Sequence, residues 1–427
     1  HPGCAARWDV GTIIFTDMNV LIIDRSNPAF RTPLSMGIVL LGCLAAASAE
    51  AIAERQLLVA VAGLAETRSL DLVVEQGTIH GLLAGRFGER DRVAYLGSAD
   101  GGKTWSEPRF LDGSGEAPVI SRRGNDARLA VYGRRIVAVW QARGELPGTG
   151  PLIVAASEDG GRTWRRGQNP AAGDPLNNQS YPALTVGGDG RFHLVWLDDR
   201  EENGNTQGLR YAASRDGLNW SSRTTLDPAV CTCCWTRIGA LPDRSVAVLY
   251  RDADPHDMRL LRGPLNGGGW LDLGPVGIAG WNFTGCPHCG GGLAITGTGG
   301  QTVLHSVAWT GKEESPGLFY SRSSDLGKHW EPPFLLGDGQ SRESDIAALS
   351  ASDLAIVFSR AGAEGAAVYL VRSRDGGRHW SVPVALTPPD ANADHPRIVA
   401  TPWGFTAFWT MARPGGGKAL AMAILSL

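Results

Sequence analysis

Apolar and polar residues alternate with a period of two along most of the chain, in short runs broken by glycine, proline and aspartate. One recurring set of runs reads "TIHGLLAG", "RIVAVWQA", "RFHLVWLD", "SVAVLYRD", "TVLHSVAWT" and "LAIVFSRA". Each is followed by a member of a second set: "RVAYLGS", "LIVAAS", "LRYAAS", "MRLLRG", "GLFYSRS" and "VYLVRS". Shorter runs such as "LDLVVE", "ARLAVYG" and "PALTVGG" precede each pair, and brief ones such as "SVPVAL" close the unit. Alternation of this kind predicts half-buried strands, and no stretch carries helical periodicity. Each unit therefore reads as four strands, a to d.

A single turn sequence sits between strands c and d. "SADGGKTWSEP" begins at Ser98, "SEDGGRTWRRG" at Ser157, "SRDGLNWSS" at Ser214, "SSDLGKHWEPP" at Ser323 and "SRDGGRHWSVP" at Ser373. One interval, of 109 residues, is close to two periods and contains a decayed copy, "LNGGGW", with Asn266 in place of the aspartate. A repeat of about 50 residues marks a propeller or similar array. The aspartate can accept turn amides, glycine supplies positive φ, and the tryptophan folds back as a local core. The turn residues are thus read as scaffold.

After the last copy a seventh unit has strands a, b and c but no d. "RQLLVAVAGL", Arg55 to Leu64, is an unpaired strand near the other end. Pairing the two closes the ring and removes an exposed edge. The fold class is all-β: one β-propeller of four-stranded blades, seven by this count, with six the alternative.

Gly 57 and Pro 25 against Met 5 suit many short strands joined by tight turns. A net charge of -3 with balanced acids and bases gives no support for a nucleic-acid partner. "MGIVLLGCLAAASAEA", from Met36, has arginines ahead of it, an apolar run of about a dozen residues and Ala47-Ser48-Ala49 as a cleavage site. Residues 1–49 are read as an upstream extension plus signal peptide, and residues 50–427 as the propeller. Export to the periplasm or exterior is expected. Leu40-Leu41-Gly42-Cys43 also fits a lipoprotein signal, in which Cys43 would carry the lipid. No other apolar run is long enough to cross a membrane.

The repeated S-x-D-x-G-x-x-W resembles the Asp-box, or BNR, repeat of the sialidase-like propellers, over nearly the whole of residues 50–427. With "CTCCW", Cys231 to Trp235, and "GCPHCGG", Gly285 to Gly291, the chain looks most like bacterial secreted sialidase-like proteins. For a sialidase the resemblance implies three arginines on a substrate carboxylate, a tyrosine nucleophile with a glutamate partner, and an aspartate acid/base. The early F/Y-R-I-P segment of sialidases is absent here. Tyr95, Tyr211, Tyr320 and Tyr369 lie beside turn boxes, which leaves Tyr181 and Tyr250 as candidate nucleophiles.

Two constellations carry candidate chemistry. In a propeller the d–a and b–c loops share one face, and both cysteine segments are d–a loops, entering blades 4 and 5. Cys231, Cys233, Cys234, Cys286 and Cys289 should therefore lie side by side. In an exported protein they read as two disulfides and one odd thiol. With His288 between them, the same spacing suits copper(I) or zinc. Aligning strands a places Arg128, Arg237 and Arg397 at one blade position, where they could clamp a carboxylate or pair with acids such as Asp126 and Asp394. Asp126, Tyr181, Trp235 and His395 sit one step nearer the rim. The b–c loops add Asp198, Asp199 and Arg200, then Arg251, Asp252, Asp254 and His256.

Two functions follow. One is an exported binding propeller with a Cys/His cluster at the channel mouth, holding a metal, a small molecule or a glycan. The other is an exo-glycosidase resembling sialidases, with the arginines on the substrate carboxylate, Tyr181 as nucleophile and Asp252 as acid/base.

Overall fold

The computed structural model describes residues 57–426, apart from 114, 172, 174–177, 200–205 and 265–267. The expected leader, Arg200 and Asn266 lie outside the described residues. No described helix is long and apolar enough to cross a membrane.

Seven antiparallel sheets account for nearly all the regular structure. Their innermost strands are Leu64–Glu75, Arg128–Tyr132, Gln179–Val186, Arg237–Ala240, Gly291–Thr296, Ser341–Ala348 and Ala393–Thr401, in blades 1 to 7. Each packs beside the next, and the seventh returns to the first, so the ring is closed. The expected count of seven holds. Apolar side chains from facing sheets fill the space between blades. Leu82 and Val93 of blade 1, for example, meet Leu129, Val131 and Ile136 of blade 2, all essentially dry. That burial is the main stabilising term for sheets that each present two apolar faces.

Ring closure uses the N-terminal strand, as expected, but a shorter piece of it. Leu57–Leu58 pairs with Lys418–Ser426, placing Leu57 opposite Met422 and Leu58 opposite Ala421. The Val59 amide donates to the Leu420 carbonyl at 2.9 Å. The chain then turns at Gly63, whose φ of 72° suits glycine, and Leu64 already belongs to blade 1.

The turn boxes are hydrogen-bonded as their residue types require. In the last box the Ser373 hydroxyl donates to Asp375 at 2.9 Å and accepts the Gly377 amide at 2.9 Å. Asp375 accepts the amides of Arg378 and His379. The box tryptophans also join blades. Tyr95, Tyr211 and Tyr320, on strands c of blades 1, 3 and 5, pack against Trp164, Trp270 and Trp380 of the following blade. Each of these tyrosines is hydrogen-bonded to a strand-b histidine of its own blade: His80, His193 or His305, at 2.6, 2.8 and 2.7 Å. Burial drives the latter two histidines down to about 4. Three of the four box-side tyrosines, and three strand-b histidines, are thereby structural; Tyr369 instead stacks on Phe358 of its own sheet.

Candidate functional site

The aligned arginines converge. A central cavity of about 190 Å³ is lined by Asp71, Arg128, Arg237, Asp345 and Arg397 together with aliphatic residues, and all seven inner strands contribute to its wall. Arg128 contacts Asp71 and Asp126, each at 3.0 Å, and Arg397 bonds Asp126. Arg237 is held least: Asp345 stands 3.8 Å away, and its terminal Nη2 makes no hydrogen bond among the described residues. Burial, then the like charges of Arg128 and Arg397, pull the Arg237 guanidinium down to about 9. Asp126 is fully buried. Burial alone would push its carboxyl up, but His395, Arg397 and Arg128 outweigh it and hold the group far below the usual carboxylate range. Of the two acids expected to partner the arginines, Asp126 does so. Asp394 instead bonds Lys418 at 2.6 Å, because it lies on the far side of the strand's bulge from Arg397.

One turn covers the mouth of this channel. Ser121 to Asp126 enters blade 2, folded back by paired contacts between Arg122 and Asn125. Arg123 reaches Glu343 of blade 6, and the Asn125 side chain accepts the Tyr181 amide of blade 3 at 2.7 Å. Gly124, at φ 84°, lies so close to Trp235 of blade 4 that any Cβ would overlap the indole. His395 of blade 7 donates its amide to Glu343 and stands 2.8 Å from Asp126 through Nε2. Tyr181 and His395 occupy equivalent sites, each before a proline and each at positive φ, 51° and 57°. Such backbone is strained for non-glycine residues and persists only where neighbours hold it. The Arg-Arg-Gly-Asn turn was not singled out from the sequence; its Gly and Asn are a turn signal, but nothing in the sequence places it over the channel.

Tyr181 is buried with the Arg122 guanidinium 5.7 Å from its ring centre, and it does not line the arginine cavity. Asp252 does not line it either. It sits at the end of the Val246–Arg251 strand, 3.5 Å from Arg259, with burial raising its carboxyl. Tyr250 donates to Asp227 at 2.7 Å, and burial with that hydrogen bond raises its hydroxyl further. Asp198 is also structural, bonded to Arg210 at 2.7 Å in the dry interior.

Both cysteine loops meet, as the blade assignment requires. Cys231 bonds Cys234, and Cys233 bonds Cys286 across the two blades, with Cα separations of 5.5 and 6.1 Å. The adjacent pair Cys233 and Cys234 face different partners. Cys289 is a free thiol, buried, and burial pushes it up. The sulfurs of Cys231, Cys233 and Cys234 lie within 4.8 Å of one another, as do the donor atoms of Cys233, Cys286 and His288. Behind them, Arg251 donates to the carbonyls of Cys289, His256 and Trp309, tying the second cysteine loop and the His256 loop to blade 5.

Beside the disulfides, on the face that carries the d–a and b–c loops, a cleft of about 640 Å³ opens. Its polar lining includes Arg122, Asn178, Asp199, Gln207 and His256, with Cys231 and Cys286 in the wall. Burial, with the charge of Arg251 next, lowers His256, which favours a neutral imidazole at pH 7. Asn178 donates to Asp199 at 3.1 Å. The cleft brings Asp199, His256 and the cysteine loops together, and leaves the arginine trio in a separate compartment beneath the covering turn.

No protein-family model matches the chain, and no curated protein matches it in sequence. Among solved structures, an ulvan lyase of polysaccharide lyase family PL25 superposes with a TM-score of 0.54 at 13% identity, over 87% of this chain and 96% of the lyase. The fold is a seven-bladed β-propeller. NanB sialidase from Streptococcus pneumoniae gives 0.45 at 13% identity, over 86% of this propeller chain and 70% of the sialidase. The Hadza microbial sialidase Hz136 gives 0.45 at 16%, over 81% and 73%.

Proposed function

We propose that this sialidase-like propeller is an exported binding protein that takes an acidic saccharide in its loop-face cleft, with the two disulfides bracing the wall. The observation that carries this reading is the cleft itself. It has the size of a small-molecule site, a cationic Arg122, a neutral hydrogen-bonding His256 and the acceptor Asp199. Disulfides that pin both cysteine loops keep the wall preorganised, which lowers the ordering cost of binding. The ulvan lyase with the same fold is recorded bound to an acidic, sulfated saccharide, which motivates the ligand class. The test is calorimetric titration of the full chain with oligogalacturonate and with sulfated oligosaccharides. Arg122→Ala and His256→Ala should each weaken binding at least tenfold. Unchanged affinity in both variants would overturn the reading.

A metal reading has one supporting observation: three buried sulfurs, of Cys231, Cys233 and Cys234, within 4.8 Å of one another. Reduced, they would offer copper(I) or zinc a thiolate set, with His288 and Cys286 adjacent. Metal content and thiol titration of protein purified under reducing and oxidising conditions test it. About one equivalent bound only after reduction supports it, and none in either state removes it.

The exo-glycosidase reading has less support. Arg128 and Arg397 are engaged by acids, the covering turn lies over them, and neither Tyr181 nor Asp252 lines their cavity.

A further inference from the structure

The decayed box of blade 4 lies on the opposite face of the ring. In the other boxed blades, strand c ends on the box serine, which pairs with the first or second residue of strand b: Ser98 with Ile79, Ser157 with Ile136, Ser214 with Phe192. In blade 4 the same register position, opposite Val246, is Gly263. The hydroxyl that knits the turn elsewhere, to an aspartate and a glycine amide, is missing there. Between blade 3 and the described blade-4 residues near this position, Pro264 and Gly268 among them, lies a second cleft of about 640 Å³. Its charged lining is Arg191, Arg215, Arg244 and Arg262 against Asp189 and Asp243.

Not all of this charge is compensated. Asp243 bonds Arg262 and the Ser245 hydroxyl. Asp189 accepts the Arg191 amide rather than its guanidinium. Arg191 has its Nε buried without a hydrogen bond among the described residues. Arg215 and Arg244 are exposed and make no ion pair among the described residues. Arg244 is moreover held at φ 69°, a left-handed backbone that is uncommon for a residue without special need of it. The net charge of the cleft is opposite in sign to that of the chain, which is -3. A concave surface of one sign focuses field and raises the local concentration of a counter-charged ligand. Guanidinium groups present paired donors that match the planar or tetrahedral oxygens of carboxylate and sulfate.

We infer that this cleft between blades 3 and 4, on the box face, is a second binding site for an oxyanion group, carboxylate or sulfate, carried on a small polar ligand. Arg215 and Arg244 would meet the anion first, and Arg191 and Arg262 form the deeper wall. The site is independent of the loop-face cleft.

Titration of the full chain at low ionic strength tests it, with trigalacturonate as the carboxylate probe, a sulfated disaccharide as the sulfate probe and inorganic sulfate as the free ion. Arg215→Ala/Arg244→Ala, and separately Arg244→Glu, are compared with Arg122→Ala/His256→Ala, which alters only the other face. All are exposed or partly exposed positions, and melting temperatures check folding. The expected result is saturable binding that the Arg215/Arg244 variants weaken at least tenfold and that survives in Arg122→Ala/His256→Ala. Preference among the probes assigns carboxylate, sulfate or the free ion as the group recognised. Undiminished binding in both Arg215/Arg244 variants, or no saturable binding of any probe in Arg122→Ala/His256→Ala, would overturn the proposal. Loss of binding in the loop-face variant alone would leave the function proposed above standing and this one refuted.

Discussion

Asp126 of blade 2 bonds Arg397 of blade 7 across the central channel, with His395 on its other oxygen. The contact spans blade 1 and joins the covering turn to the innermost strand of blade 7. Removing the carboxylate leaves Arg397 and Arg128 buried with less compensation, which typically costs about 3–5 kcal/mol. Asp126→Ala should therefore lower the urea midpoint sharply. A variant with the wild-type midpoint would show that the turn is not a keystone.

Gly124 offers a finer probe of the same turn. Alanine there must adopt φ near 84° and overlap Trp235. Gly133, also left-handed at φ 58°, has nothing near its missing Cβ. Gly133→Ala should cost about 1 kcal/mol from backbone strain alone. Gly124→Ala should cost about 2–4 kcal/mol, strain plus overpacking. Equal melting temperatures for the two would mean that the Trp235 contact relaxes freely.

Acid should weaken the ring before it touches the box aspartates. His193 and His305 fall to about 4 in the folded chain, below the ordinary value of 6.5. The unfolded chain therefore binds protons first. The stability these residues contribute is full above pH 6.5 and is lost as pH falls towards 4, on the order of 3 kcal/mol each. Asp100 and Asp325, held down to about 2 by turn hydrogen bonds that outweigh burial, add to the loss only at lower pH. Denaturant titrations from pH 7 to 4.5 should show this decline, and His305→Gln should flatten part of it. A pH-independent midpoint over that window would contradict the assignment.

The two disulfides should differ in weight. Cys233–Cys286 closes a separation of 53 residues and Cys231–Cys234 one of 3. On chain-entropy grounds the first contributes about 4 kcal/mol and the second about 1.5 kcal/mol. Cys286→Ser should destabilise more than Cys234→Ser, and peptide mapping should find Cys289 unlinked. The reverse order would point to strain or exchange among the sulfurs.

The blade repeat, its strands and the box turns were legible because each depends on local chemistry. Period-two alternation sets which face is buried, and Ser, Asp and Gly close a turn within a few residues of one another. Neighbourhood of the cysteine loops followed from the blade count alone, since consecutive blades must touch. Convergence of Arg128, Arg237 and Arg397 followed likewise from their shared register. What the sequence could not decide is which partner each charged side chain meets. Asp126 finds Arg397 from 271 positions away, while Asp394, only three residues from that arginine, turns to Lys418. A bulge in the last inner strand, between Asp394 and Arg397, makes that choice. Tyr181 was read one step nearer the rim than the arginines and Asp252 on a b–c loop of the same face, yet burial and strand ends direct both elsewhere. The clefts on the two faces arise from loops and turns of different blades. Ring closure brings those loops together, so only the tertiary structure could reveal either cleft.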